Sequence, residues 1–303
     1  MKLIDVVPVG NLLGEGVQWN PDDGCLWWTD ISNSMLHRWH LDSRVHSVFA
    51  TPERLCSFAF IEGQSRLLCA FASGVAMFDP HSGAITWLHR LETPGSGRRC
   101  NDGRVDRQGR FWVGTMVEDA ARAGAFSASL YCMDRDGGVH VREREIDIAN
   151  GLCWSPDGGR MYFADSARRT MYAYDFDGDT GAISARREFA RLPESAEPDG
   201  ACVDAQGCVW SAQWGAGQVA CYAPDGRIRA TIEVPASQPT CVAFAGASLD
   251  LLCVTSARAG LDAAALARQP DAGHLFIYQA TTTGLAECRV RADFNPIHAK
   301  MDS

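Results

Sequence analysis

Apolar positions in this chain come in short runs broken by turn residues, and one phrase recurs: a small residue, a short apolar segment, a Gly-containing turn, then an aromatic or aliphatic run. It reads GVQWNPDDGCLWWTD from Gly16, GRVDRQGRFWVGT from Gly103 and, most plainly, GLCWSPDGGRMYFAD from Gly151. GACVDAQGCVWSAQ from Gly200 is a fourth copy, and residues 58–70 and 241–255 are weaker ones, which makes six. β-Branched and aromatic residues around Pro-Asp-Gly or Gln-Gly turns predict two short antiparallel strands per copy. Further strand pairs with their own turns lie between copies, as in LYCMDRDGGV from Leu130 and MYAYDFDG from Met171, so each unit has four strands.

The turn glycines Gly24, Gly63, Gly109, Gly158, Gly207 and Gly246 are 39, 46, 49, 49 and 39 residues apart. A propeller blade repeats at roughly 40–50 residues. The expected fold is therefore all-β, a six-bladed β-propeller with four antiparallel strands per blade, forming a single domain over residues 1–303. A β-sandwich would not repeat one phrase at a near-constant period. Residues 3–9 (LIDVVPV) are expected to add an outer strand to the last blade, closing the ring and removing an exposed edge. A helix is expected only near residues 262–268 (DAAALAR).

Composition narrows the partners. The net charge of −9 argues against nucleic acid, and basic residues cluster only in pairs such as Arg98-Arg99. No apolar run is long enough to span a membrane and the start has no leader pattern, so a cytoplasmic protein is expected. The twelve cysteines form no C-x-x-C pair and fall singly within apolar strands, as expected of buried thiols in a reducing compartment. A closed ring needs no partner to cover an edge, so a monomer is expected.

Candidate chemistry comes from register. Eight residues before the turn glycine stand Asn101, Asn150 and Asp199; the first copy, with an additional turn Asp, places Glu15 at nine, while the second and sixth give Leu55 and Gln238. Equivalent starts of innermost strands converge on a propeller's axis. An Asn-Gly or Asp-Gly dipeptide alone is an ordinary turn signal. Four acids or amides in register are instead an oxygen-only cluster, whose carboxylates repel unless a cation compensates. Such donors suit Ca²⁺, Mg²⁺ or Mn²⁺, and Zn²⁺ or Fe²⁺ could also occupy them.

These residues resemble the regucalcin (senescence marker protein), gluconolactonase and luciferin-regenerating enzyme family of six-bladed propellers. The resemblance runs from about Leu13 to His274. It is carried by Leu13-Gly14-Glu15-Gly16, Arg99-Cys100-Asn101-Asp102-Gly103, Gly114-Thr115-Met116, Asn150-Gly151-Leu152, Pro198-Asp199-Gly200 and the segment from Arg268 to Gly273. It implies that Glu15, Asn150 and Asp199 ligate one divalent metal and that Asp199 also moves a proton. It implies further that Arg99, Asn101 and Asp119 bind substrate, with Glu118 as the alternative to Asp119 one residue away. Cys100 stands where relatives carry Phe or Pro, so the pocket wall differs there.

The activity implied is hydrolysis of a sugar lactone to its aldonic acid. A lactone needs a polarised carbonyl, an activated water and a route for protons, which a divalent metal and a nearby carboxylate supply. No G-x-S-x-G elbow supports a serine esterase, and the eight histidines are scattered. Trp214, just after an inner hairpin, is a candidate pocket wall. Two other classes stay open: a calcium-binding regulatory protein without turnover, and an interaction scaffold, which would not explain acids in register on the axis.

Overall fold

A computed structural model describes residues 1–294. It contains six four-stranded antiparallel sheets arranged as blades. The innermost strands are Gly14–Asn20, Leu55–Phe60, Arg98–Val105, Ala149–Trp154, Glu197–Val203 and Pro239–Ala245, for blades 1 to 6 in order. Blade 6 takes its outermost strand from the amino terminus: Lys2–Val7 pairs with Leu275–Gln279, as the sequence leads one to expect. The ring is thus closed by strand pairing between the two ends of the repeat.

The core lies in the seams between blades. Each seam carries its own apolar layer: Val17, Trp19 and Trp28 of blade 1 pack with Ala243, Cys253 and Leu275 of blade 6, and Trp112 and Leu130 of blade 3 with Trp154 and Phe163 of blade 4. Eleven of the twelve cysteines are buried and all are unpaired, many of them in these layers. At the inner hairpins of blades 3 and 5 the repeated sequence builds one device twice. Asp106 accepts the backbone N–H groups of Gln108 and Arg110 and the indole N–H of Trp112. Asp204 does the same with Gln206, Cys208 and Trp210.

Two features lie outside the sequence expectation. A short helix, Ala120–Ala123, follows blade 3's second strand in addition to the expected helix, observed at Ala263–Arg268. Residues 280–294 cross the inner-turn end of the propeller. There Thr283 accepts from Ala205, Val290 exchanges bonds with Phe60 and Glu62, and Arg289 pairs with Asp22. Among the described residues no helix is long and apolar enough to cross a membrane.

Candidate metal and substrate site

The site sits at the opposite end, where the innermost strands begin. All six of these strands carry a β-bulge there, which re-aims side chains out of the ladder. In blade 1, Glu15 pairs with Thr29 and the ladder resumes at Gln18; in blade 4, Asn150 pairs with Ala164 and it resumes at Cys153. In both, the next residue is glycine in the left-handed region, Gly16 at φ 61° and Gly151 at φ 64°. In blades 3 and 5 the polar residue falls one place later, inside the bulge: pairing breaks between Cys100 and Gly103, and between Pro198 and Ala201. The common count of eight from the turn glycine therefore spans two ladder positions, because blade 4 has one residue fewer between bulge and turn. Close approach around the axis is also enforced by size: a Cβ on Gly200 would lie 2.7–2.9 Å from the Sγ, Cβ and Cα of Cys241.

Asn101, Asn150 and Asp199 are all buried, and Glu15 lies beside them. Asn150 donates its Nδ2 to Ser166 Oγ at 2.9 Å, and Ser166 in turn donates to the carbonyl of Pro198 at 2.6 Å. That chain fixes the amide so that its oxygen, not its nitrogen, is offered toward the axis. Asn101 Nδ2 reaches Asn150 Oδ1 at 3.0 Å and the Ala149 carbonyl at 2.9 Å, while its Oδ1 accepts from Arg99 Nη1 at 2.6 Å. The Asn101 amide thus ties the arginine to the ligand-type amide.

The carboxylates lack cationic partners. Burial, then neighbouring Asp102, push Glu15 up to about 8, against the Gly16 amide, Arg99 and Arg104. Burial, followed by Glu15 and Asp102, raises Asp199 well above the usual carboxylate range. Burial also raises Asp102, with Arg104 acting against it. The two arginines nearby pair elsewhere, Arg99 with Glu118 at 2.9 Å and Arg104 with Glu287 at 3.1 Å. Carboxylates gathered at the axis without ion pairs, beside an oriented amide oxygen, fit a hard divalent cation.

Asp119, expected to bind substrate, stands at the start of the short helix. It caps the short helix, accepting from the N–H groups of Ala121 and Arg122, and pairs with Arg122 at the surface. It lines one cleft with Glu118, Arg54 and Arg98, but its carboxylate is taken up by the cap and by Arg122. Glu118 is the residue joined to Arg99, and Arg54 from blade 2 grips the same carboxylate with both Nη atoms at 2.8 Å. Burial alone would raise Glu118, but these bonds outweigh it and bring it down to about 2. Arg99 is fixed further by the Cys100 carbonyl, and none of its bonds uses Nη2. Trp214 ends its strand half-buried, paired with Glu197. Leu55 is wholly buried, and Gln238 donates to the Ala259 carbonyl.

Sequence reasoning passed over Asp102, Arg104, Ser166 and Glu287. Asp102 and Arg104 were within reach, since both belong to the Asn101–Arg104 run of blade 3. Ser166 and Glu287 carry no repeat signal. Elsewhere among the described residues, one cluster of potential ligands appears, Asp204 with Cys208 and Cys221 in blade 5. Its carboxylate already serves the hairpin turn described above.

The family model for the SMP-30/Gluconolactonase/LRE-like region matches residues 13–258. An L-arabinolactonase of Azospirillum brasilense is 38% identical over 92% of this chain and 92% of its own length. A pentonolactonase of Haloferax volcanii is 35% identical over 95% and 98%. The crystal structure of a calcium-binding protein, regucalcin, from Agrobacterium tumefaciens superposes with a TM-score of 0.90 at 34% identity, covering 95% of this chain and 98% of that one. A fold of six blades closed by the amino-terminal strand, with acids and amides gathered where the inner strands begin, together with matches over nearly the whole length, places this chain in the SMP-30/gluconolactonase/LRE-like family.

Proposed function

We propose that this protein hydrolyses sugar lactones to aldonic acids at a divalent cation held by Glu15, Asn150 and Asp199. The observation that carries the reading is the meeting of buried Asp199, half-buried Glu15 and one oriented amide oxygen at the propeller axis, neither carboxylate in an ion pair. The relatives named above, two of them sugar lactonases, supply the substrate class. When bound, the cation would polarise the lactone carbonyl and lower the pKa of a water.

The chain's own groups do the rest. Asp199 Oδ1 is held by the Gly200 N–H, which leaves Oδ2 to take the proton of the attacking water. The water oxygen bonds to the carbonyl carbon, the acyl C–O bond then breaks, and the departing ring oxygen takes back the proton held on Asp199 while still tethered to the product. Arg99, pinned by Glu118, presents Nη2 to the substrate's oxygens. Asn101 holds Arg99 and Asn150 in register rather than leaving either to find its rotamer. All these groups come from one chain, so the site is complete in a monomer, and the unpaired thiols suit a reducing cytoplasm.

The test is a panel of pentono- and hexonolactones followed by acid release, with the protein chelated and then supplied with Ca²⁺, Mn²⁺, Mg²⁺, Zn²⁺ or Fe²⁺. A second reading, calcium binding without turnover, has the name of the Agrobacterium relative in its favour. Cation binding with no hydrolysis of any lactone in the panel would select it.

A further inference from the structure

Arg104 lies two residues past Asp102 on the innermost strand of blade 3 and is 5% exposed. Its guanidinium occupies the axis. Nη1 faces the Val17 carbonyl of blade 1 at 3.4 Å, and Nη2 faces the carbonyls of Ala201 in blade 5 and Val242 in blade 6 at 3.4 and 3.5 Å. These are long contacts, which centre the group among the blades without cancelling its charge. The countercharge is Glu287, with Oε1 3.1 Å from Nη1.

Glu287 belongs to the segment that crosses the inner-turn end, so the pair plugs the channel from the side opposite the mouth. Beside it lies a cavity of about 30 Å³ lined by Arg104, Arg107, Cys153, Cys202 and Glu287, space on the scale of one water. The Arg104 side chain is 6% exposed and that of Glu287 18%, so solvent screens the pair only in part.

We propose that the Arg104–Glu287 pair, its guanidinium buried on the axis, sets the charge of the cation site from beneath, Glu287 cancelling a guanidinium that would otherwise oppose cation binding. Arg104 and Glu287 are then positioning residues acting through charge. The proposal rests on the cation reading above. A permanent positive charge below Glu15, Asp102 and Asp199 would make apo protein easier to assemble and divalent binding weaker. With Glu287 in place the two effects offset, and the carboxylates keep their field toward the mouth.

The test is calorimetric titration of the full chain with Ca²⁺ and with Mn²⁺ at fixed pH and salt. Glu287→Gln keeps an oxygen for Arg104 but removes the charge, and it is expected to weaken both ions on the order of tenfold. Glu287→Asp, which keeps the charge, is expected to restore most of that affinity. Arg104→Met is expected to tighten binding, and Arg104→Met with Glu287→Gln to return it near the wild-type value. A packing role alone would instead weaken binding in each single variant and most in the double. Should Arg104→Met not fold, the Gln and Asp variants at position 287 decide. Equal affinity in wild type and Glu287→Gln, or equal loss in Gln and Asp, overturns the proposal while leaving the cation site standing. If wild type binds neither ion, the cation reading fails and this inference falls with it.

Discussion

Replacing Glu15 by Gln should stabilise the metal-free protein at neutral and alkaline pH while destroying its cation affinity. Burial and Asp102 hold the Glu15 carboxyl at about 8, against 4.5 in the unfolded chain. The folded state therefore binds this proton more tightly than the unfolded state. The stability it confers is fully present below about pH 4.5 and is lost as pH rises through about 8. Over three pKa units correspond to a cost on the order of 5 kcal/mol once the group is ionised in the folded chain, a ceiling that local relaxation reduces. Gln has nothing to ionise. In chelator at pH 8, Glu15→Gln should therefore melt above wild type by several degrees, at about 1.5–2 °C per kcal/mol for a chain of this size. At pH 5 the gap should shrink to about 1–2 °C. Adding Ca²⁺ or Mn²⁺ should raise the wild-type midpoint more at pH 8 than at pH 6, because protons compete for the same oxygens, and should leave Glu15→Gln nearly unmoved. The assay is thermal unfolding across pH 5–8, with chelator and with cation. Parallel curves for the two proteins in chelator, or a variant less stable than wild type at pH 8, would refute the reasoning.

Asp199→Asn at saturating cation, with occupancy measured by titration, should lose about 10²- to 10⁴-fold in kcat; near wild-type turnover at full occupancy would leave Asp199 as a ligand only. Glu118→Gln weakens the anchor of Arg99 and should raise KM for polyhydroxylated lactones more than it lowers kcat. Asp119→Asn should leave both constants unchanged, since its carboxylate caps a surface helix, and the reverse ranking in steady-state kinetics would put Asp119 back in the pocket. Gly200→Ala places a methyl against Cys241 at the seam of blades 5 and 6 and should cost about 1–3 kcal/mol, read from urea unfolding; an unchanged midpoint would show that the seam yields freely.

Much of this architecture is legible in the chain because one phrase is written six times. Each hairpin needs its own turn chemistry and its own apolar face, so the period survives divergence, and the seams in the structure are those faces meeting in pairs. Glu15, Asn150 and Asp199 were legible for the same reason, standing just before or within the bulge of a repeated strand. The one-residue offset between them was not, because the count back from the turn glycine does not reveal where in the ladder each bulge falls. Asp119 shows the limit in another way. Glu118 and Asp119 are chemically alike in a sequence, and only the one-turn helix after them decides which carboxylate meets Arg99. Glu287 lies in a segment with no repeat and no strand pattern. Its role depends on where residues 280–294 cross the propeller, which no local preference encodes.

The central claim is that lactone hydrolysis runs at one cation per chain on the axis. The most direct measurement titrates chelated protein with Ca²⁺, Mn²⁺ or Zn²⁺ while following pentonolactone hydrolysis and bound metal in the same samples. Turnover should be lost in chelator and return in proportion to occupancy, reaching its plateau at one equivalent. Full turnover in metal-stripped protein, or one equivalent bound with no hydrolysis of any lactone offered, would contradict it.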